Sequence, residues 1–237
     1  MEARMETPEK GSAGEKRREV LEAFEQYGIV VIVRGLSGEE CEKLAEAMVQ
    51  GGVRLMEITY DQSHPESWEK NAALIGRLAE KFRGRMLFGA GTVTTPELVD
   101  LTARAGGRFI ISPDTDEAVI RRTREAGLVS IPGAFTPSEI KKAWAAGADF
   151  VKVFPASSLG PKYIKAVHAP LSQVKMLAVG SVNESNLADY LAAGAVGAGV
   201  GGELVNQADV REGKWEKLSD AAKRLVSVWY GVKQQRS

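Results

Sequence analysis

The feature that most constrains this chain is a repeat. Apolar segments of about five residues alternate with polar, helix-periodic segments, and the unit recurs from Ile29 to the C-terminal region. The apolar segments are Ile29–Arg34, Arg54–Thr59, Arg85–Ala90, Arg108–Ser112, Leu128–Ile131, Asp149–Phe154, Val174–Val179 and Val196–Val200. Each reads as a strand buried on both faces, and the intervening segments read as helices that cover a parallel sheet. Helix ends are marked by glycine (Gly51, Gly52, Gly106, Gly107, Gly127, Gly147 and Gly194), which suits the left-handed residue after a helix. Thr136-Pro137-Ser138-Glu139 is a capping box with proline at the first helical position, and Thr94 and Asn183 are similar cap candidates. Eight strand–helix units favour closure into an α/β fold of the (β/α)8 TIM-barrel type, and a doubly wound open sheet is the alternative. No Gly-x-Gly-x-x-Gly turn follows the first strand, so dinucleotide binding lacks its mark.

The rest of the chain fits around that barrel. Residues 1–14 are charged and carry Pro8, Gly11 and Ser12, the composition of a mobile tail. Glu15 to Tyr27 reads as an amphipathic helix with Val20, Leu21 and Phe24 on one side, ended by Gly28. No composition break suggests a second domain, so residues 15–237 are expected to form one catalytic unit. Formal net charge is zero and no long basic run occurs, which leaves nucleic-acid binding without electrostatic support. No apolar run has membrane-spanning length, and the N-terminus lacks the apolar stretch of a signal peptide, so a cytoplasmic protein is expected. Cys41, the single cysteine, sits in a helical stretch and reads as packing.

Two residues break the apolar rule. In Asp149-Phe150-Val151-Lys152-Val153-Phe154, alternation places Val151 and Val153 on one face and Lys152 on the other. A buried ammonium is costly, and burial lowers its pKa, which makes the neutral amine a usable nucleophile. Glu57 in Leu55-Met56-Glu57-Ile58-Thr59 repeats the pattern with a carboxylate. A purely structural ion pair is the competing reading, but such a pair contributes little net stability compared with apolar packing. In a barrel the chemistry belongs at the C-terminal strand ends. Those ends carry Arg34, Glu57, Gly89-Ala90-Gly91-Thr92, Ser112-Pro113-Asp114, Lys152 with Phe154-Pro155, Val179-Gly180-Ser181 and Gly201-Gly202.

Taken together, Glu57-Ile58-Thr59, Gly89-Ala90-Gly91-Thr92-Val93, Ser112-Pro113, Ile131-Pro132-Gly133 and Lys152-Val153-Phe154-Pro155-Ala156 resemble the KDPG/KHG aldolase family in order and spacing, over about residues 18 to 232. The resemblance implies a class I aldolase that cleaves a 2-keto-3-deoxy sugar acid or 4-hydroxy-2-oxoglutarate to pyruvate and an aldehyde. It assigns Lys152 as the Schiff-base lysine and Glu57 as the general acid/base. It places Thr92 on the pyruvate carboxylate, and Arg34 is positioned to assist. Phe154 and Pro113 would wall the pocket, while Gly180, Ser181, Gly201 and Gly202 would contact a substrate phosphate. No metal or organic cofactor is implied, and the assembly implied is a homotrimer.

Two departures from the family pattern bear on the substrate. Some members carry an arginine shortly after the strand-two glutamate, where this chain has Asp61. The strand-seven and strand-eight ends read Gly180-Ser181 and Gly201-Gly202-Glu203 in place of a Gly-Gly and a Gly-Ser pattern, so a serine hydroxyl is lost and a carboxylate gained. The segment Phe154-Pro155-Ala156-Ser157-Ser158-Leu159-Gly160-Pro161 is similar to the branch acting on 6-phosphogalactonate substrates. Phosphorylated and non-phosphorylated substrates both stay open. So do two other readings, a barrel isomerase or synthase acting on a phosphorylated ligand and a non-catalytic barrel scaffold. His64 is expected to be a loop residue rather than a metal ligand, since no further ligand cluster accompanies Asp61.

Overall fold

The structure, a computed structural model, describes residues 13–235. The expected tail lies outside the described residues except for Ala13 and Gly14, which already belong to the first helix, α1 (Ala13–Tyr27). Nine parallel strands follow: β1 (Ile29–Val33), β2 (Leu55–Thr59), β3 (Leu87–Gly91), β4 (Phe109–Ile111), β5 (Val129–Ile131), β6 (Gly133–Ala134), β7 (Val151–Val153), β8 (Met176–Val179) and β9 (Gly197–Val200). The helices between and after them are α2 (Gly38–Gln50), α3 (Trp68–Lys81), α4 (Pro96–Ala105), α5 (Glu117–Glu125), α6 (Pro137–Ala145), α7 (Gly160–His168), α8 (Leu187–Ala192), α9 (Gln207–Arg211) and α10 (Trp215–Gln234).

The strand order β5-β4-β3-β2-β1-β9-β8-β7-β6 brings the row back on itself, because only Pro132 separates β5 from β6. β5 pairs with β4 and β6 pairs with β7, so the two halves of one chain segment serve opposite neighbours. Proline cannot donate a ladder hydrogen bond, which explains the break. Its carbonyl still accepts from Lys152 N at 2.9 Å, and Ser130 O accepts from Asp149 N at 3.0 Å. The result is the expected eight-stranded barrel with its fifth strand split in two. Each expected strand is present and most are shorter by one to three residues. The arginines at 54, 85 and 108 fall outside the strands, where their charge stays out of the core.

Two apolar layers hold the barrel. The larger lies between the outer strand faces and the helices, and includes Val31, Met56, Ile58, Ile110, Val151 and Val153. The smaller fills the barrel interior with Val30, Leu55, Phe109, Ile111, Val129, Ile131, Phe150 and Leu177. Helix α1 closes that interior from the N-terminal end of the strands by inserting Val20, Ala23 and Phe24. The Phe24 ring meets Phe109 edge-on at 5.4 Å and Phe150 at 4.9 Å. Burying a ring of this size stabilises by roughly 1.5–3 kcal/mol. A polar latch accompanies it: the buried Asp149 carboxylate accepts from Arg17, from Arg124 Nη1 at 3.0 Å and from Ser130 N at 2.9 Å.

Local signals behave as their chemistry requires. Gly106 and Gly194 have φ of 95° and 110° at helix ends, whereas Gly51 ends α2 in a right-handed conformation. Thr136 and Glu139 form the expected reciprocal box, with Thr136 N donating to Glu139 Oε2 at 2.7 Å. Thr94 does not cap α4, whose N-cap position is Thr95; its hydroxyl turns instead to Gln62. Cys41 is buried in α2 and burial pushes its thiol up to about 12, as expected of an unreactive packing residue.

Candidate active site

The strand pleat that buries Leu55 and Phe150 in the barrel also points Glu57 and Lys152 inward, two residues further toward the C-terminal ends. Glu57 is 2% exposed and Lys152 is 8% exposed. Space for the carboxylate comes from β3. A methyl group at Gly91 would stand 2.4 Å from Glu57 Oε1, so no larger residue fits there without displacing the acid. Lys152 lies beside Gly133 of β6 and Leu177 of β8 in the register, and its Nζ sits 4.7 Å from the centre of the Phe154 ring.

Burial dominates the electrostatics of the pair. It pushes the Glu57 carboxyl up from 4.5 to about 7, against the lowering pull of Lys152 and Arg34. Burial likewise holds the Lys152 ammonium below its ordinary value; Glu57 opposes this and Arg34 reinforces it. One acid poised near neutrality and one amine biased toward its neutral form are the two groups that carbinolamine and imine chemistry needs. Glu57 Oε2 is buried with no hydrogen-bond partner, an unfilled acceptor inside the site.

The other expected residues follow the C-terminal ends of the strands. Arg34 is exposed just beyond β1, and its charge reaches Glu57, Lys152 and Asp61. Thr92 follows Gly91 directly and is half-buried, with φ of 57°. A left-handed conformation is uncommon for a β-branched residue, so the surrounding structure must hold it. Pro113 follows β4 and is half-buried, and Phe154 follows β7 with 38% exposure. Gly180 and Ser181 follow β8 with φ of 115° and 49°, and Asn186 Nδ2 donates to Ser181 O at 2.9 Å to fix the turn. Gly201 and Gly202 follow β9, Gly201 near Ile32 and Gly202 exposed, with open space where a side chain would stand. All ten expected residues therefore lie at or within the C-terminal end of the one barrel.

Asp61 stands in the loop after β2. Its carboxylate accepts from Ser63 N at 2.9 Å and pairs with His64 Nδ1 at 3.0 Å, and these contacts hold its pKa below the usual aspartate value. Among the described residues no group of three His, Cys, Asp or Glu side chains is arranged to hold a metal ion. Two features escaped the sequence reading. Gly91 is required by Glu57 rather than only by an approaching substrate. Gln62 bridges the loop after β2 to the turn after β3. Gly91 is signalled in sequence by the Gly-Ala-Gly-Thr run, and Gln62 by nothing in its neighbourhood.

The chain is similar to known proteins over most of its length. The family model for KDPG and KHG aldolases matches residues 20–221. A probable 2-dehydro-3-deoxy-6-phosphogalactonate aldolase of Rhizobium meliloti (strain 1021) is 39% identical over 189 residues, 78% of this chain and 86% of that protein. The 2-dehydro-3-deoxy-6-phosphogalactonate aldolase of Escherichia coli (strain K12) is 37% identical, over 74% of this chain and 83% of its own. Among solved structures, a native KDPGal structure superposes with a TM-score of 0.77 at 35% identity, covering 87% of this chain and 96% of that one. The KDPG aldolase of Legionella pneumophila, solved with pyruvate captured as a covalent carbinolamine, superposes with a TM-score of 0.77 at 25% identity, covering 86% of this chain and 97% of that one. With its split barrel, its inward lysine and glutamate, and a match that spans nearly the whole barrel, this chain belongs to the KDPG and KHG aldolase family.

Proposed function

We propose that this aldolase works through a Schiff base on Lys152 and cleaves a 2-keto-3-deoxy sugar acid to pyruvate and an aldehyde. The observation that carries the reading is the buried Lys152–Glu57 pair, with burial shifting both groups toward their neutral forms. The neutral Lys152 amine attacks the C2 keto carbon. Protonated Glu57 gives its proton to the resulting hydroxyl, which leaves as water, and an iminium remains. The Glu57 carboxylate then takes the C4 hydroxyl proton. The C3–C4 bond breaks, its electron pair flows toward the iminium nitrogen, and an aldehyde departs from an enamine of pyruvate. Protonation at C3 and hydrolysis of the imine release pyruvate and restore the amine. Each transfer draws on one acid near neutrality, which is where a shuttle works best. Thr92 and Arg34 would hold the keto-acid carboxylate, Arg34 by charge-assisted hydrogen bonds. Phe154 and Pro113 would wall the pocket.

The turns Gly180-Ser181 and Gly201-Gly202 are the proposed seat of the distal end. The curated relatives named above favour a 6-phosphorylated substrate, whereas Glu203 beside Gly202 favours an uncharged tail or 4-hydroxy-2-oxoglutarate. One catalytic domain, a cytoplasmic location and a homotrimer complete the proposal; among the described residues no helix is long and apolar enough to cross a membrane.

Borohydride trapping with pyruvate, followed by peptide mapping, tests the mechanism. A reduced pyruvyl adduct on Lys152, absent in Lys152→Ala, is expected. A folded wild-type protein that forms no adduct would refute the Schiff-base reading. Condensation of pyruvate with glyceraldehyde 3-phosphate, glyceraldehyde or glyoxylate then selects the aldehyde.

A further inference from the structure

The strained turn at Thr92 has a partner that the catalytic reading does not use. Gln62, exposed in the loop after β2, reaches across to the turn after β3. Its Nε2 donates to Thr92 O at 2.7 Å, and its Oε1 accepts from Thr94 Oγ1 at 2.9 Å. Both ends of the amide are engaged, so its orientation is fixed. The loop that carries Gln62 is itself braced. Asp61 accepts from Ser63 N and pairs with His64, Trp68 Nε1 donates to Asp61 O at 2.8 Å, and Tyr60 N donates to Gly91 O at 2.9 Å. On the far side of the turn, Val93 N donates to Ile111 O at 3.2 Å. Thr92, a β-branched residue at φ of 57°, therefore has both of its flanking peptide groups held, one at Gly91 O and the other at Thr92 O and Val93 N. Conformations of this kind persist only where neighbouring groups over-determine them, and they gather where function requires them.

We infer that Gln62 is a positioning residue: it holds the Thr92 carbonyl, keeps Thr92 in its left-handed conformation directly after Gly91, the residue that packs on Glu57, and so presents Thr92 to the carboxylate of the keto acid. The inference rests on the aldolase reading for its functional half and on hydrogen bonding alone for its conformational half. Gln62 is a loop side chain on the surface, so its replacement leaves the barrel intact. Asp61, its neighbour, stands where some family members carry an arginine; this chain fastens the loop to the Thr92 turn through Gln62.

The test uses the full-length protein with Gln62→Ala and Gln62→Glu, the second being the same length but without an N–H for the Thr92 carbonyl. Amide hydrogen exchange over residues 88–94 reads the conformational half, and faster exchange is expected in both variants. The pyruvate concentration that half-saturates borohydride trapping reads the functional half. It is expected to rise about 5-fold, the factor for one hydrogen bond, with the trapping rate at saturation nearly unchanged. In a Thr92→Ala background, Gln62→Ala is expected to add nothing further. Unchanged exchange together with unchanged half-saturation overturns the inference. Faster exchange with unchanged half-saturation reduces Gln62 to a surface tie and overturns the positioning role. A wild-type protein that forms no adduct overturns the Schiff-base reading and with it the functional half, while exchange at residues 88–94 still decides whether the clamp exists.

Discussion

Glu57→Gln converts the electrostatics of the site into a measurable stability. Burial raises the Glu57 carboxyl from 4.5 to about 7 in the folded protein. The difference corresponds to about 3 kcal/mol of preference for the protonated form. A folded pKa above the unfolded value means that the group is tolerated at acid pH. Its penalty grows as pH rises from the unfolded value toward the folded one, and is complete above about pH 7. Glutamine is nearly isosteric and never ionises, so it escapes that penalty. The stability of Glu57→Gln relative to wild type should therefore increase by about 2–3 kcal/mol between about pH 5 and about pH 9. Urea denaturation of both proteins across that window, followed by far-ultraviolet circular dichroism, measures it. Removing the Lys152 amine, as in Lys152→Met, takes away one of the two charges that lower the Glu57 pKa, so the midpoint of the effect should move to higher pH. A stability difference that is flat with pH, or that favours wild type as pH rises, would refute the claim that burial controls this carboxyl.

Catalysis should show the same group. The cycle starts from protonated Glu57, which must give its proton to the carbinolamine hydroxyl, so kcat/KM for aldol cleavage should fall as pH rises through about 7; an alkaline limb that persists unchanged in a weakly active Glu57→Gln enzyme would assign it elsewhere. Gly91→Ala places a methyl group 2.4 Å from Glu57 Oε1. It should cost about 1–3 kcal/mol of stability and lower kcat/KM by about 10- to 100-fold through displacement of the acid, and equal activity in the variant would show that the carboxylate has room to spare.

Much of the fold is legible in the sequence. The strand–helix repeat specified the barrel because segments apolar on both faces have few ways to be buried. Lys152 and Glu57 were legible for the complementary reason, since a charge at an inward position of such a strand is expensive. The Thr136 box and the glycines after the helices follow from requirements confined to a few neighbouring residues.

Tertiary structure decided what depends on segments far apart in sequence. The fifth strand is split at Pro132 because its halves pair with β4 on one side and β7 on the other, and no local pattern shows which partner each half takes. Helix α1 was legible as amphipathic, but only packing revealed that Phe24 fills the barrel floor and that Arg17 grips Asp149 across 132 positions of sequence. Thr94 had the residue type of a helix cap, yet Gln62 competes for its hydroxyl once the two loops meet. The sequence could name the acid and the amine. The shift of both groups toward their neutral forms, the close approach of Glu57 to Gly91 and the grip on Thr92 arise only when the strand ends converge, because burial and hydrogen-bond geometry are properties of the assembled barrel.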